Sequence, residues 1–383
     1  MLIPYARQNI TDQDLHEVQK VLRSLWLTQG PTIDEFEKAI ADYCGAEHAV
    51  SVSNATSGLH IACLALGLGE GDRLWTSPNS FVASANCALY CNAKVDFVDI
   101  DPRTYNMCPE ALARKLEQAK RDNQLPKIVI PVHFSGQSAD MKAIRALADQ
   151  YHFHIIEDAS HAIGGSYLDD KIGHNQFSDI TVFSFHPVKI ITTGEGGMLL
   201  TNNKELFQKL FRLRSHGITR DPEFMVGESE GPWYYQQTLL GYNYRMTDIQ
   251  AALGLSQMQR LDQNIARRRE IARCYHQELK KLPITLPWQN QDAKSAWHLY
   301  VIQTESERKR LELFNSLREA QISVNVHYIP IHLQPYYRSL GFKPGDFPIA
   351  EAYYQRAISI PMFYGLTDSE QEYVIETLEK CLK

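Results

Sequence analysis

The sequence predicts an α/β fold: a mostly parallel sheet clothed in helices, followed by a smaller α+β unit. Three observations carry this expectation. From residue 48 to residue 202, short apolar runs alternate with amphipathic stretches of helical period. After residue 246 that alternation stops and a long helical pattern begins. Polar residues also gather where three of the apolar runs end, and open α/β sheets bind ligands at the carboxyl ends of their strands.

The strand candidates are 48–53, 73–76, 94–100, 127–134, 153–158, 179–185 and 197–202. Helical patterns lie between them, at 109–121 and 141–150 for example. Seven runs separated by helices predict a seven-stranded, mostly parallel mixed sheet. Thr247 with Gln250 reads as a capping box. It opens a long helix in which Ile249, Leu253, Leu261 and Ile265 share a face. Beyond Pro283, strand-like pieces at 298–303 and 322–327 and a last helix at 369–382 complete the smaller unit. The expected division is a large domain over 1–246, with the N-terminal segment, and a small domain over 247–383. The stretch 219–237 is rich in Gly, Pro, Glu and aromatics and reads as a long loop, of the kind that often serves function.

Composition excludes several function classes. A formal net charge of -6 argues against binding nucleic acid through a general basic field. The first residues lack the layout of a signal peptide, and no apolar run is long enough to span a bilayer. Seven cysteines, an odd number without zinc-ribbon spacing, suit a reduced, cytoplasmic protein. Cys87 and Cys91 read as small core residues rather than ligands. Gly67–Gly71 follows a helix rather than a strand, so it is not a dinucleotide loop.

The strand ends carry the chemistry. One run ends in Glu157-Asp158, another in Ser184-Phe-His-Pro-Val-Lys189, and a third in Ser53-Asn-Ala-Thr56-Ser57, where a helix starts. Pyridoxal 5'-phosphate needs an amine for its imine, an acid facing the pyridine nitrogen, a phosphate cradle and something flat against the ring. Lys189 can supply the amine, because a desolvated lysine has a lowered pKa. Asp158 can hold the ring nitrogen protonated, which makes the ring an electron sink. Thr56 and Ser57 open a helix, whose free N–H groups favour a phosphate, and Ser184 can add a hydroxyl. Phe81, at the start of a helix expected over 80–92, can stack on the ring. Each signal taken alone has a plainer explanation: a helix cap, a solvated lysine, a core phenylalanine. Their order along one chain is what counts.

That order resembles the sugar-aminotransferase family of fold-type I pyridoxal-phosphate enzymes (the DegT/StrS type). The segments are Asp158-Ala-Ser-His161-Ala-Ile-Gly164, Ser184 to Lys189, Thr193-Gly-Glu-Gly-Gly197, Trp26-Leu-Thr-Gln-Gly-Pro31 and Gly241-Tyr-Asn-Tyr-Arg-Met246. The resemblance spans residues 5 to 365. It implies that Lys189 bears the cofactor, that Asp158 meets the ring nitrogen and that Ser184 binds the phosphate. His161 would lie near the phenolic oxygen, and Asn243 would reach the phosphate of the partner subunit's cofactor in a homodimer with shared sites. Within the family, the segments look most like the transaminases of pseudaminic acid biosynthesis. The implied substrates are L-glutamate and a UDP-linked 4-keto-6-deoxy-N-acetyl hexose. That sugar nucleotide would touch Tyr5, Leu25, Trp26, Leu27, Thr28, Ala55, Ser184, Asn243 and the turn His327, Tyr328, Ile329, Pro330. The rivals are a dehydratase, an aminotransferase for another nucleotide-linked keto-sugar, and a non-catalytic sensor that kept the fold. Some relatives carry histidine in place of the lysine and act as dehydratases, so retention of Lys189 favours transamination.

Overall fold

A computed structural model describes residues 2–382. Its large sheet has seven strands: β1 (His48–Val52), β2 (Arg73–Thr76), β3 (Lys94–Phe97), β4 (Ile128–Ile130), β5 (His154–Asp158), β6 (Ile180–Ser184) and β7 (Gly197–Thr201). Their spatial order is β1-β7-β6-β5-β4-β2-β3. Neighbours from β6 to β3 run parallel, and β7 is antiparallel to both β1 and β6. All seven expected strands are present, each shortened by a residue or more at one end or both except β2.

The strands read as apolar runs because both faces of the sheet are covered. Successive residues serve opposite cores. Ile130, Ile156 and Val182 pack with Leu59 and Ile61 of α3 (Ala55–Ala65) and Leu210 of α7 (Lys204–Leu213). Val129 and Ile155 instead pack with Leu112 and Leu116 of α5 (Pro109–Arg121) and Ile144 of α6 (Met141–Tyr151). The remaining helices of this part are α1 (Asp12–Leu22), α2 (Pro31–Cys44) and α4 (Ala83–Tyr90). Helix α2 starts with Pro31 at its first position and stops at Gly45, whose φ of 74° is left-handed backbone that glycine adopts freely.

The capping box of Thr247 and Gln250 forms as expected. The single long helix does not. Helix α8 (Asp248–Met258) ends and α9 (Leu261–Leu279) begins after a break at Gln259 and Arg260. The break lets α8 lie against α1 and α2 while α9 runs on. Leu261 and Ile265 pack with Phe36 and Phe183 of the large core. Further along α9, Ile271, Tyr275 and Leu279 join a second core with Tyr300, Ile302, Ile358 and Val374. That core holds β8 (Tyr300–Gln303) paired antiparallel with β9 (Ala357–Ile360), under α10 (Glu307–Glu319) and α12 (Asp368–Leu382), while α11 (Pro348–Arg356) packs Ala350 and Tyr353 into another cluster with Phe97 and Phe134. The piece expected as a strand over 322–327 is extended but makes only isolated bridges, Ile322 to Ile3 and Asn325 to Ser359. The partner of β8 is β9 instead, because its Ile358 and Ile360 face that core. The 219–237 stretch is a loop apart from a 3-10 turn at Pro222–Phe224 and a two-residue strand pair at its ends. No helix among the described residues is long and apolar enough to cross a membrane.

Candidate active site

Strands β5 and β6 lie side by side with Asp158 opposite Val182, so the Asp158 and Ser184 ends open at the same edge of the sheet. A cavity of about 960 Å³ lies there. Tyr5, Ala55, Thr56, Ser57, Phe81, Asp158, His161, Ser184, Lys189, His327, Tyr328 and Ile329 all line it. A larger groove of about 1190 Å³, bordered by Trp26, Asp34 and several arginines, lies elsewhere and includes neither Lys189 nor Asp158.

Lys189 sits in a closed turn. Its N–H donates to His186 O (2.8 Å), and the N–H of Thr193 returns to Phe185 O (3.0 Å). Burial pushes the Lys189 ammonium down to about 8, although the Asp158 carboxylate pulls the other way. Asp158 is 5% exposed, and its carboxylate is held from two sides. The Ser84 hydroxyl donates to Oδ2 at 2.6 Å, and the Ser160 N–H donates to Oδ1 at 3.1 Å. Ser80 lies 2.8 Å from Ser84 and extends this chain of hydroxyls.

The start of α3 is the anion-facing corner. Asn54 caps the helix, accepting the Ser57 N–H at 2.8 Å. The Ala55 and Thr56 N–H groups, which have no intrahelical acceptor, remain to face an anion. Gly197 of β7 packs against this corner, and a Cβ there would stand 2.8 Å from the Ala55 nitrogen. Phe81 lies before α4 rather than on it, because that helix begins only at Ala83. The ring is 59% exposed and 6.4 Å from that of Tyr328, so it stands at the cavity mouth rather than in the core.

Three neutral histidines form the opposite wall. Nδ1 of His161 accepts the Ser135 N–H at 3.3 Å, so the neutral ring carries its proton on Nε2. Nε2 then donates to the Tyr328 hydroxyl at 3.1 Å, leaving that hydroxyl's own proton free for a ligand. His298 lies 4.4 Å from His161, ring centre to ring centre, and its buried Nδ1 has no partner among the described residues. Burial, with the Lys189 charge behind it, holds His327 down at about 3. Burial first, and then the Lys189 charge, also keeps His161 far below the usual histidine range. Burial and the neighbouring His161 do the same for His298.

Not every expected residue lies here. Leu25, Trp26, Leu27, Thr28 and Asn243 are exposed and outside the cavity, while Pro330 is buried behind it. Asn243 bridges Ser215 on the far side of α7. Reading the sequence missed Ser84, Ser160, His298 and Asn325. Ser80 and Ser84, four residues apart at the start of an expected helix, were a usable signal. His298 offered none beyond its place at the head of a strand.

A lysine of lowered pKa, a fixed carboxylate, a capped helix start packed against glycine and an unpartnered imidazole fit pyridoxal phosphate. Fold and site together define a pyridoxal-phosphate-dependent sugar aminotransferase of fold type I. The chain belongs to the DegT/DnrJ/EryC1/StrS aminotransferase family, whose model matches residues 8–379. It is 40% identical to the spore coat polysaccharide biosynthesis protein SpsC of Bacillus subtilis, over 100% of this chain and 97% of that one. It is 38% identical to the UDP-4-amino-4,6-dideoxy-N-acetyl-beta-L-altrosamine transaminase of Campylobacter jejuni, over 100% and 98%. Helicobacter pylori PseC, an aminotransferase involved in the biosynthesis of pseudoaminic acid, superposes with a TM-score of 0.91 at 29% identity, covering 100% and 99%. The PLP form of the Streptococcus pneumoniae sugar aminotransferase Spr1654 gives 0.90 at 29% identity, covering 100% of both chains.

Proposed function

We propose that this enzyme moves an amino group from L-glutamate to C4 of a UDP-linked 4-keto-6-deoxy-N-acetyl hexose. The observation that carries the reading is one cavity walled by Lys189 and Asp158 on one side and by Tyr5, His327, Tyr328 and Ile329 on the other. The 38% identity to the altrosamine transaminase supports the choice of sugar. When bound at Lys189, the cofactor supplies an electron sink for the carbanion at the donor's α-carbon.

The chain's own residues do the rest. Its lowered pKa leaves Lys189 more readily neutral near pH 7 than a solvated lysine. Its Nζ takes the proton from the donor's α-carbon and later returns one to the sugar's C4. Asp158, fixed by Ser84 and Ser160, holds a proton at the cofactor's ring nitrogen. Ser184, Ser57 and the start of α3 hold the phosphate. Tyr328, turned by His161, offers its hydroxyl proton to an oxygen of the ligand. All seven cysteines are free, in keeping with a cytoplasmic enzyme.

We infer further that the site is completed by a second copy. Among the described residues, Lys189 is the only lysine or arginine lining the cavity, and its amine is committed to the cofactor. Glutamate and a pyrophosphate together bring several negative charges, which need cations from outside this chain's own cavity. Arg220 and Arg245 border the larger groove, and Asn243 bridges Ser215, which lines it too. A two-fold arrangement would bring Asn243 and this groove to the partner's cavity.

A second reading has support of its own. The 40% identity to SpsC favours another nucleotide-linked keto-sugar with the same chemistry. Mass spectrometry of products from glutamate and a panel of UDP-keto-sugars decides between them. A C4-amino product from the 4-keto-6-deoxy-N-acetyl substrate supports the first reading. Turnover of other sugars only rejects it.

A further inference from the structure

Arg268, on α9, is 2% exposed, and no carboxylate among the described residues pairs with it. Its Nε donates to Asn264 Oδ1 at 2.9 Å. One of its terminal nitrogens donates to three backbone carbonyls, Trp297 (3.1 Å), Met362 (3.2 Å) and His298 (3.4 Å). A buried guanidinium held only by neutral oxygens is costly, and burial alone pushes it down to about 10. An apolar side chain would fill this space at less cost, so the charge calls for another explanation.

Asn264 supplies it. Having accepted from Arg268 on its oxygen, its Nδ2 donates to Ile190 O at 2.7 Å. Ile190 directly follows Lys189. Residues 264 and 268 are one helical turn apart, so one stripe of α9 grips the lysine turn at one end and the His298 segment at the other. The acceptance from Arg268 also fixes which way the Asn264 amide points, and the grip therefore depends on both residues.

We propose that Asn264 and Arg268 are positioning residues that set Lys189 against the His298 wall, coupling α9 to the cavity from behind. The inference rests on the reading that Lys189 bears the cofactor.

Two substitutions test it. Asn264→Asp keeps an acceptor for Arg268 and adds a neutralising charge, yet it removes the donor to Ile190 O. Asn264→Ala removes both bonds. In the holoenzyme, each variant is expected to lose at least tenfold in kcat, with KM for the sugar nucleotide within threefold. Amide hydrogen exchange should rise at residues 190–193 in both. Asn264→Asp should keep the melting temperature of the parent, which a merely structural role does not allow alongside the loss of kcat. Parental kcat or parental exchange at 190–193 in whichever variant folds overturns the proposal. Borohydride labelling of the parent separates the two failures. A parent unlabelled at Lys189 rejects the underlying reading, whereas a labelled parent with unaffected variants rejects only the clamp.

Discussion

The two sides of this molecule that carry polar residues are built on opposite plans. At the strand ends, hydrogen bonds of 2.6 and 3.1 Å hold Ser84 to Asp158 and His161 to Tyr328, and little of their surface meets water. Around the 219–237 loop, Val226, Trp233, Tyr235 and Leu240 are between 53% and 83% exposed, and Leu25 beside Trp26 is 96% exposed. The first region is pre-organised within one chain. The second has the apolar area and the arginines of a contact surface but closes nothing in its own chain. On the function proposed above, one subunit supplies the amine, the acid and the phosphate corner, and the charges for the substrate come from the second copy.

The largest effects should come from the pre-organised side. Lys189→Ala should abolish turnover and remove the borohydride label. Asp158→Ala should retain cofactor but slow proton transfer a hundredfold or more, since losing about 3 kcal/mol of charge stabilisation costs that much at ~1.4 kcal/mol per factor of ten. Stopped-flow measurement of the glutamate half-reaction checks it. A near-parental rate would show that Asp158 is a bystander.

The second region breaks or sharpens the comparison through complementation. Lys189→Ala and Asn243→Ala homodimers should each be poorly active. In a mixed dimer one site collects both defects and the other is intact, so co-expression should restore activity that neither parent shows. A verified heterodimer as inactive as its parents would confine Asn243 to its own subunit. Smaller again is the expected effect of Arg220→Ala or Arg245→Ala, a rise in KM for the sugar nucleotide of about tenfold, the scale of one charge-assisted hydrogen bond. Unchanged KM in both would mean that the cations come from elsewhere.

The smallest effect is on stability against pH. His161, His298 and His327 are all held below their unfolded value of about 6.5, His327 at about 3. The unfolded chain therefore binds more protons in acid. The stability these histidines contribute is fully present above pH 6.5 and is lost as pH falls toward 3. The apoenzyme's melting temperature should fall steadily from pH 7 to pH 5, and His298→Gln should flatten that slope. An unchanged slope in the variant would show that His298 does not titrate as its burial implies.

Much of this was legible in the chain because it is local. The sheet strands announce themselves as apolar runs, as Ile128-Val129-Ile130 does, since both faces of a parallel sheet are buried. The cap at Thr247, the polar strand ends and the order of Asp158, Ser184 and Lys189 are likewise features of neighbouring residues. The break at Gln259 and Arg260 was not legible, because the helical pattern continues through it and only packing of α8 against α1 and α2 forces the turn. Nor was β9 found as the partner of β8, since 54 residues separate Gln303 from its partner Ala357 and pairing is a matter of space.

The sequence by itself determined the fold class and pointed to Lys189, Asp158 and the helix start at Thr56 and Ser57, each in a short stretch whose backbone form follows from local physics. Tertiary structure alone decided what holds them. Ser84 reaches Asp158 across 74 residues, Tyr328 reaches His161 across 167, and Asn264 reaches the lysine turn across 74. Strand order and helix packing choose those partners. A hydrogen bond needs two groups within about 3 Å, and distance along a chain carries no information about distance in space.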